Sequence, residues 1–172
     1  MNSIRKHWYY TDPKEGIKSG YCLYFVESYT GYFDLCFHFN NLKIQLFYST
    51  CTNILDDLFK WIKEIDNNNK TIVFIIDEEG PINKITLNRM ESDNDNYEIV
   101  LSDNGYYFST TISKEIFLKK LLNALNILIN NKTWGKNNSI GEYIKKELKY
   151  YFDKYNINEY KECIECREKL CE

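Results

Sequence analysis

Three cysteines crowd the C-terminal end of the sequence: Cys163 and Cys166 flank Ile164-Glu165, and Cys171 follows five residues later. Thiolates at that spacing can hold zinc if a fourth ligand completes a tetrahedron, but no histidine lies nearby. The remaining donors are Cys22, Cys36 and Cys51, or a second chain. A single C-x-x-C pair has low specificity, so the sequence predicts three reduced thiols on a terminal helix. A second grouping is Asp34, Cys36 and His38, an acid, a nucleophile and a base on one face of a strand. Same-face neighbours on a strand stand about 6.5–7 Å apart, beyond the direct hydrogen bond of a thiolate–imidazole pair. An outward or half-covered sheet face is therefore expected there. His7 is the one other histidine, so general-base chemistry has few actors. Asp77-Glu78-Glu79 lacks the alternating oxygen donors of a cation loop and reads as a solvated turn or a partner contact. Seven glycines, scattered singly, form no phosphate loop, nucleophile elbow or dinucleotide fingerprint. No catalytic residue, metal or cofactor is predicted.

Aromatic residues make up 16% of the 172-residue chain, which excludes intrinsic disorder and favours strands. Net charge is only −3, but it is unevenly distributed. The stretch from Asp56 to Asp103 holds 12 acidic and five basic residues, net −7, against net +4 elsewhere. That field disfavours nucleic acid along the middle of the chain and favours a basic partner there. Trp134 sits in the polar run Asn131–Lys136, where it either tucks into the core or stands exposed as an interface anchor. The first residues carry basic groups with no apolar stretch behind them, and nothing approaches a membrane span. A cytoplasmic protein without disulfides is the expectation.

These side chains must be positioned by an α+β fold. The spacing predicts an edge strand near Lys6–Tyr10, a strand at Tyr21–Val26 and a hairpin. The hairpin's arms carry Phe33, Leu35, Phe37, Phe39 and then Leu42, Ile44, Leu46, Tyr48, with Asn40-Asn41 as the turn. A helix over Asn53–Asp66 follows, capped by Thr52 or Asn53 and carrying Leu58, Trp61, Ile62 and Ile65 on one stripe. Ile72–Ile76 is apolar at every position, so a central strand covered on both faces is predicted. Strands at Lys84–Met90, Asn96–Leu101 and Tyr106–Ile112 continue as a meander, the last two joined by Asn104-Gly105. Ser113 caps a nearly all-apolar helix over Lys114–Asn130, and Ser139-Ile140-Gly141-Glu142 reads as a capping box for another. The expected architecture is one mainly antiparallel sheet of six to seven strands with two or three packed helices. Residues 1–155 form a single domain, and residues 156–172 a charged, helical or frayed tail.

From Leu42 to Phe152 this layout resembles the small immunity proteins that accompany bacterial polymorphic or contact-dependent toxins. The likeness rests on four features: the strand ending at Ser49, the helix Ile54–Ile62, the acidic turn Ile76–Gly80, and the helix opening Ile116–Lys120. It covers about two thirds of the chain and includes no diagnostic motif. The resemblance implies a non-enzymatic protein that binds a cognate protein toxin. Clustered carboxylates would steer such an inhibitor onto a basic toxin surface, so Asp77, Glu78, Glu79, Asp93, Asp95 and Asp103 join Trp134 as candidate partner-binding residues. Asp56 and Asp57 serve the helix end first. Neither nucleic acid nor membrane is an expected partner, and the chain is expected as a monomer or homodimer. Two other readings stay open: a small cysteine- or metal-dependent enzyme, and a homo-oligomeric structural or regulatory protein.

Overall fold

Strand-forming residues build two antiparallel sheets here, where the sequence pattern pointed to one. The computed structural model describes residues 8–10, 21–29, 32–39, 42–49, 54–77, 82–103, 106–130 and 141–157. Strands β1 (Trp8–Tyr10), β2 (Tyr21–Tyr29), β3 (Tyr32–Phe39) and β4 (Leu42–Ser49) form the first sheet, in the order β1-β4-β3-β2. Helix α1 (Ile54–Asp66) leads to β5 (Thr71–Asp77), β6 (Ile82–Met90), β7 (Asp93–Asp103) and β8 (Tyr106–Ser113), which form the second sheet in sequence order. Helices α2 (Lys114–Ile129) and α3 (Glu142–Lys154) complete the described elements. Trp8, Tyr9 and Tyr10 pair with Ile44, Lys43 and Leu42, so β1 occupies part of the outer edge of β4.

Turn chemistry sets the registers. Phe39 pairs with Leu42 and Asp103 with Tyr106, leaving Asn40-Asn41 and Asn104-Gly105 as the two-residue connections the sequence predicts. Met90 pairs with Asp93 across a third short connection. Helix α1 ends in Asn67-Asn68-Asn69, and Asn68 takes a left-handed φ of 58°, which asparagine tolerates better than most residues. Arg89 Nη1 donates to the Asn68 carbonyl at 3.0 Å, and Tyr97 Oη donates to the Asn69 carbonyl at 3.1 Å, fixing that corner to the second sheet.

Ser113 caps α2, its Oγ accepting from the Ile116 N–H at 3.5 Å. Helix α3 departs from the expected capping box. Its cap is Gly141, whose carbonyl accepts from Ile144 N–H at 3.0 Å, and Ser139 lies outside the described residues.

A single apolar cluster joins both sheets and the helices. Leu23, Leu35 and Ile44 from the first sheet and Phe74, Ile85 and Ile99 from the second converge with Leu58, Trp61, Phe117 and Leu121 from α1 and α2. Burial of each such side chain stabilises the fold by about 1.5–3 kcal/mol. Trp61 stacks on Phe74 at 4.6 Å and meets Phe117 edge-on at 5.4 Å, so one indole ties α1 to β5 and to α2. Tyr21, Phe39 and Phe108 form a second aromatic bridge, from β2 through β3 to β8. Helix α2 is buried over most of its circumference, as its composition requires; even Lys120 is 8% exposed, its ammonium 5.1 Å from the Tyr21 ring centroid.

Two expectations about faces are corrected. On β3, Asp34, Cys36 and His38 are as buried as Leu35 and Phe37, so that strand is covered on both sides. On β5 the reverse holds. It is the terminal strand of its sheet, burying Ile72, Phe74 and Ile76 while Val73 is 41% and Ile75 59% exposed. Uniform apolarity did not mark a central strand, because burial depends on what packs against a face and no described element covers the outer face of β5.

Candidate functional site

The outer face of the second sheet is built by register. Ile75 lies beside Lys84, Lys84 beside Ser102, and Ser102 beside Tyr107, giving one row across all four strands. Val73, Thr86, Val100 and Ser109 form the next row. Tyr107 is 67% exposed, so aromatic and β-branched side chains stand in solvent at both margins of a surface whose middle holds Lys84, Thr86, Val100 and Ser102. Isolated exposed apolar residues are ordinary, whereas this sheet face carries Val73 and Ile75 at one margin and Tyr107 at the other, flanking a more polar middle with apolar contacts.

The same register separates the predicted carboxylates. Asp77 ends β5 and Asp103 ends β7, so both lie at one end of the sheet, two strand spacings or about 10 Å apart. Glu78, Glu79 and Trp134 lie outside the described residues. Asp93 and Asp95 sit by the β6–β7 connection at the opposite end, about 25–35 Å from Asp103 along the strand. No single patch contains all of them. Asp93 also has local work: its Oδ1 accepts from the Asp95 N–H at 3.0 Å, and its Oδ2 from Asn96 Nδ2 at 2.6 Å. Asp56 is likewise engaged within the chain, accepting from Tyr143 Oη, while Asp57 is exposed.

Asp95 lines a cleft of about 510 Å³ together with Ser113, Lys114, Glu115, Lys119, Lys154, Tyr155 and Asn156. Its lysines are committed to internal partners. Lys154 Nζ reaches Asp66 Oδ2 at 2.7 Å, Lys119 reaches Glu115 at 2.6 Å, and Lys114 Nζ donates to the Asp66 carbonyl and to Asn68 Oδ1 at 3.1 and 2.7 Å. Burial pushes Asp66 upward, but hydrogen bonds from Lys154 and Tyr155 and the charges of Lys154 and Lys114 outweigh it, leaving the carboxyl below its ordinary value. Burial lowers Lys114 despite the nearby Asp66, whereas its hydrogen bond to Asp66 raises Lys154. With the lysines paired, the cleft fastens α3 to the end of α1. Lys63 and Glu147, 3.0 Å apart, add a further tie between those helices.

The candidate catalytic strand is different in kind. Register puts Cys22 directly opposite His38 and Tyr24 opposite Cys36, a cross-strand arrangement invisible in the spacing of β3 alone. Gln45 Nε2 donates to Asp34 Oδ2 on the same face. Cys22, Cys36, Asp34 and His38 are all buried, and burial, aided by the Lys43 charge, holds His38 below its ordinary value. These side chains form a buried polar layer between β2, β3 and β4. Among the described residues no three His, Cys, Asp or Glu side chains are placed to hold a metal ion. Cys163, Cys166 and Cys171 lie outside those residues. No described helix is long and apolar enough to cross a membrane.

Comparison with protein-family models, with curated proteins and with solved structures found no significant match to this chain. The site therefore rests on geometry. Of the residues that geometry assembles, Val73, Ile75 and Tyr107 were not among the sequence candidates. A signal for Tyr107 was present: in Tyr106–Ser113 the hydroxyl residues Ser109 and Thr111 mark the outer parity, to which Tyr107 belongs. None existed for Ile75, whose exposure follows from the position of β5 in the sheet.

Proposed function

We propose that this protein acts by binding another protein and not by catalysis, and that it is an immunity protein which neutralises a cognate bacterial toxin in the cytoplasm. The observation that carries the binding reading is the solvent-facing row Ile75–Lys84–Ser102–Tyr107 with Val73 beside it. A face of that composition gains free energy by losing water from its apolar margins while Lys84 and Ser102 between them keep polar contacts. Asp77 and Asp103 end their strands at one end of this sheet, and carboxylates there would suit a basic toxin surface and speed encounter. The toxin-neutralising reading comes from the layout of strands and helices by which the sequence resembles immunity proteins.

The experiment is a capture from the native cell using tagged wild-type protein and a Val73→Ser/Ile75→Ser/Tyr107→Ser variant. The expected result is a protein retained by the wild type, lost from the variant, toxic when expressed alone and tolerated when co-expressed with this chain. A captured protein that is harmless alone rejects the immunity reading while leaving the binding face intact. Equal capture by the variant rejects the face.

A further inference from the structure

On the outer face of the second sheet, the outward-facing residues within 71–75, 84–88, 96–102 and 107–113 include two charges, Lys84 and Glu98. Glu98 accepts from Asn88 Nδ2 at 3.5 Å and lies four residues along β7 from Ser102, the neighbour of Lys84, so about 14 Å separates the two charges along the strands. They do not neutralise each other. Lys84 is exposed and forms no ion pair among the described residues, whereas Lys70 meets Glu91 and Lys154 meets Asp66. The side chains around it bring no charge. Ile75 stands beside it on β5 and Ser102 on β7, and Ser102 Oγ donates to the carbonyl of Lys84 itself at 3.4 Å. Asp77, two positions beyond Ile75, lies diagonal to Lys84 by register.

We propose, resting on the reading of this face as a docking surface, that Lys84 determines its specificity and that the partner protein seats a carboxylate on the ammonium, with apolar side chains on either side. A partner that removes water from Ile75 removes it also from Lys84, the next residue in the row. An ammonium covered without a counter-charge opposes binding, and a carboxylate placed on it offsets that cost. Strand spacing sets the pattern the partner must match. The carboxylate lies about 5 Å from the group that covers Ile75 and about 10 Å from the group that covers Tyr107. Surfaces of equal apolarity that lack this acid leave Lys84 uncompensated, so one lysine discriminates among them. The demand is local. Toward the sheet end bearing Asp77 and Asp103, the same partner surface would carry basic groups.

Panning short random peptides displayed on phage against the immobilised full chain supplies a probe of this chemistry. The expected peptides carry Asp or Glu close to an apolar or aromatic residue. They should bind Lys84→Met roughly thirtyfold or more weakly and Lys84→Glu more weakly still, while Lys84→Arg retains them. Changing the peptide's acid to lysine should restore binding to Lys84→Glu, which also shows that this variant is folded. Peptides that carry no acid, or that bind Lys84→Met as well as the wild type, overturn the proposal; the docking face survives if Val73→Ser/Ile75→Ser/Tyr107→Ser loses them. Peptides that this triple variant retains overturn the face itself, as does a failure to enrich any. An acidic preference that appears only in Asp77→Asn shows Lys84 already neutralised within the chain and likewise overturns the proposal.

Discussion

The two sheets invert each other. In the first, β3 alternates apolar and polar residues, yet both faces are buried and the polar side holds Asp34, Cys36 and His38. In the second, β5 is apolar throughout, yet one face is open to water. The lesson is that a strand's own pattern reports which residues share a face, while the burial of that face belongs to the neighbours stacked on it. The polar side of the first sheet lies inside the fold, and the outer face of the second is open to water.

The largest effect that separates these regions lies where they meet. Trp61→Ala removes the indole shared by α1, β5 and α2 and should cost about 3–5 kcal/mol in urea unfolding. A cost below about 1 kcal/mol would show that α1 is not anchored to β5 and α2 through Trp61. Next is the polar face of the first sheet. Asp34→Ala leaves Gln45 without its carboxylate acceptor and should destabilise by about 1–3 kcal/mol, with Asp34→Asn recovering part of it. A neutral outcome would mean that this face is effectively hydrated.

The third prediction concerns pH. His38 titrates below its ordinary value in the folded state, so the unfolded chain binds its proton first. Stability is therefore complete above about pH 6.5 and declines as pH falls through that value toward the folded one. Asp66, also lowered, contributes above the ordinary carboxylate range and loses that contribution only as pH falls through its own folded value. Denaturation midpoints between pH 7 and 5 should thus slope downward in the wild type and flatten in His38→Gln, with the more acidic loss retained. An unchanged slope assigns the titration elsewhere. The smallest effect on stability is expected from the outer face: Ile75→Ser and Tyr107→Ser should each shift unfolding by less than about 0.5 kcal/mol. A shift of several kcal/mol in either would make this face part of the core and remove it as a docking surface.

Much of the fold was readable because its signals are local. Asn40-Asn41 and Asn104-Gly105 set hairpins, Ser113 caps α2, and the stripe of Leu58, Trp61, Ile62 and Ile65 faces the core as its spacing requires. The candidate site was less legible. Asp77 and Asp103 share one end of a sheet, but Asp93 and Asp95 lie at the other, because the length of β6 separates Asp77 from Asp93 and most of the length of β7 separates Asp95 from Asp103. Proximity in sequence therefore misled. Cys22 and His38 show the converse: 16 residues apart in sequence, they become direct neighbours through one hairpin.

By itself the sequence determined the order of elements, the helix stripes and the turns, since these depend on side-chain period and on residues tolerant of unusual backbone angles. Only the tertiary structure decided that there are two sheets, that the polar side of β3 is interior, and that Ile75 and Tyr107 face water. Those outcomes depend on which distant element occupies each edge and face, as β1 does on β4, and such competition for neighbours leaves no trace in the local pattern of a strand.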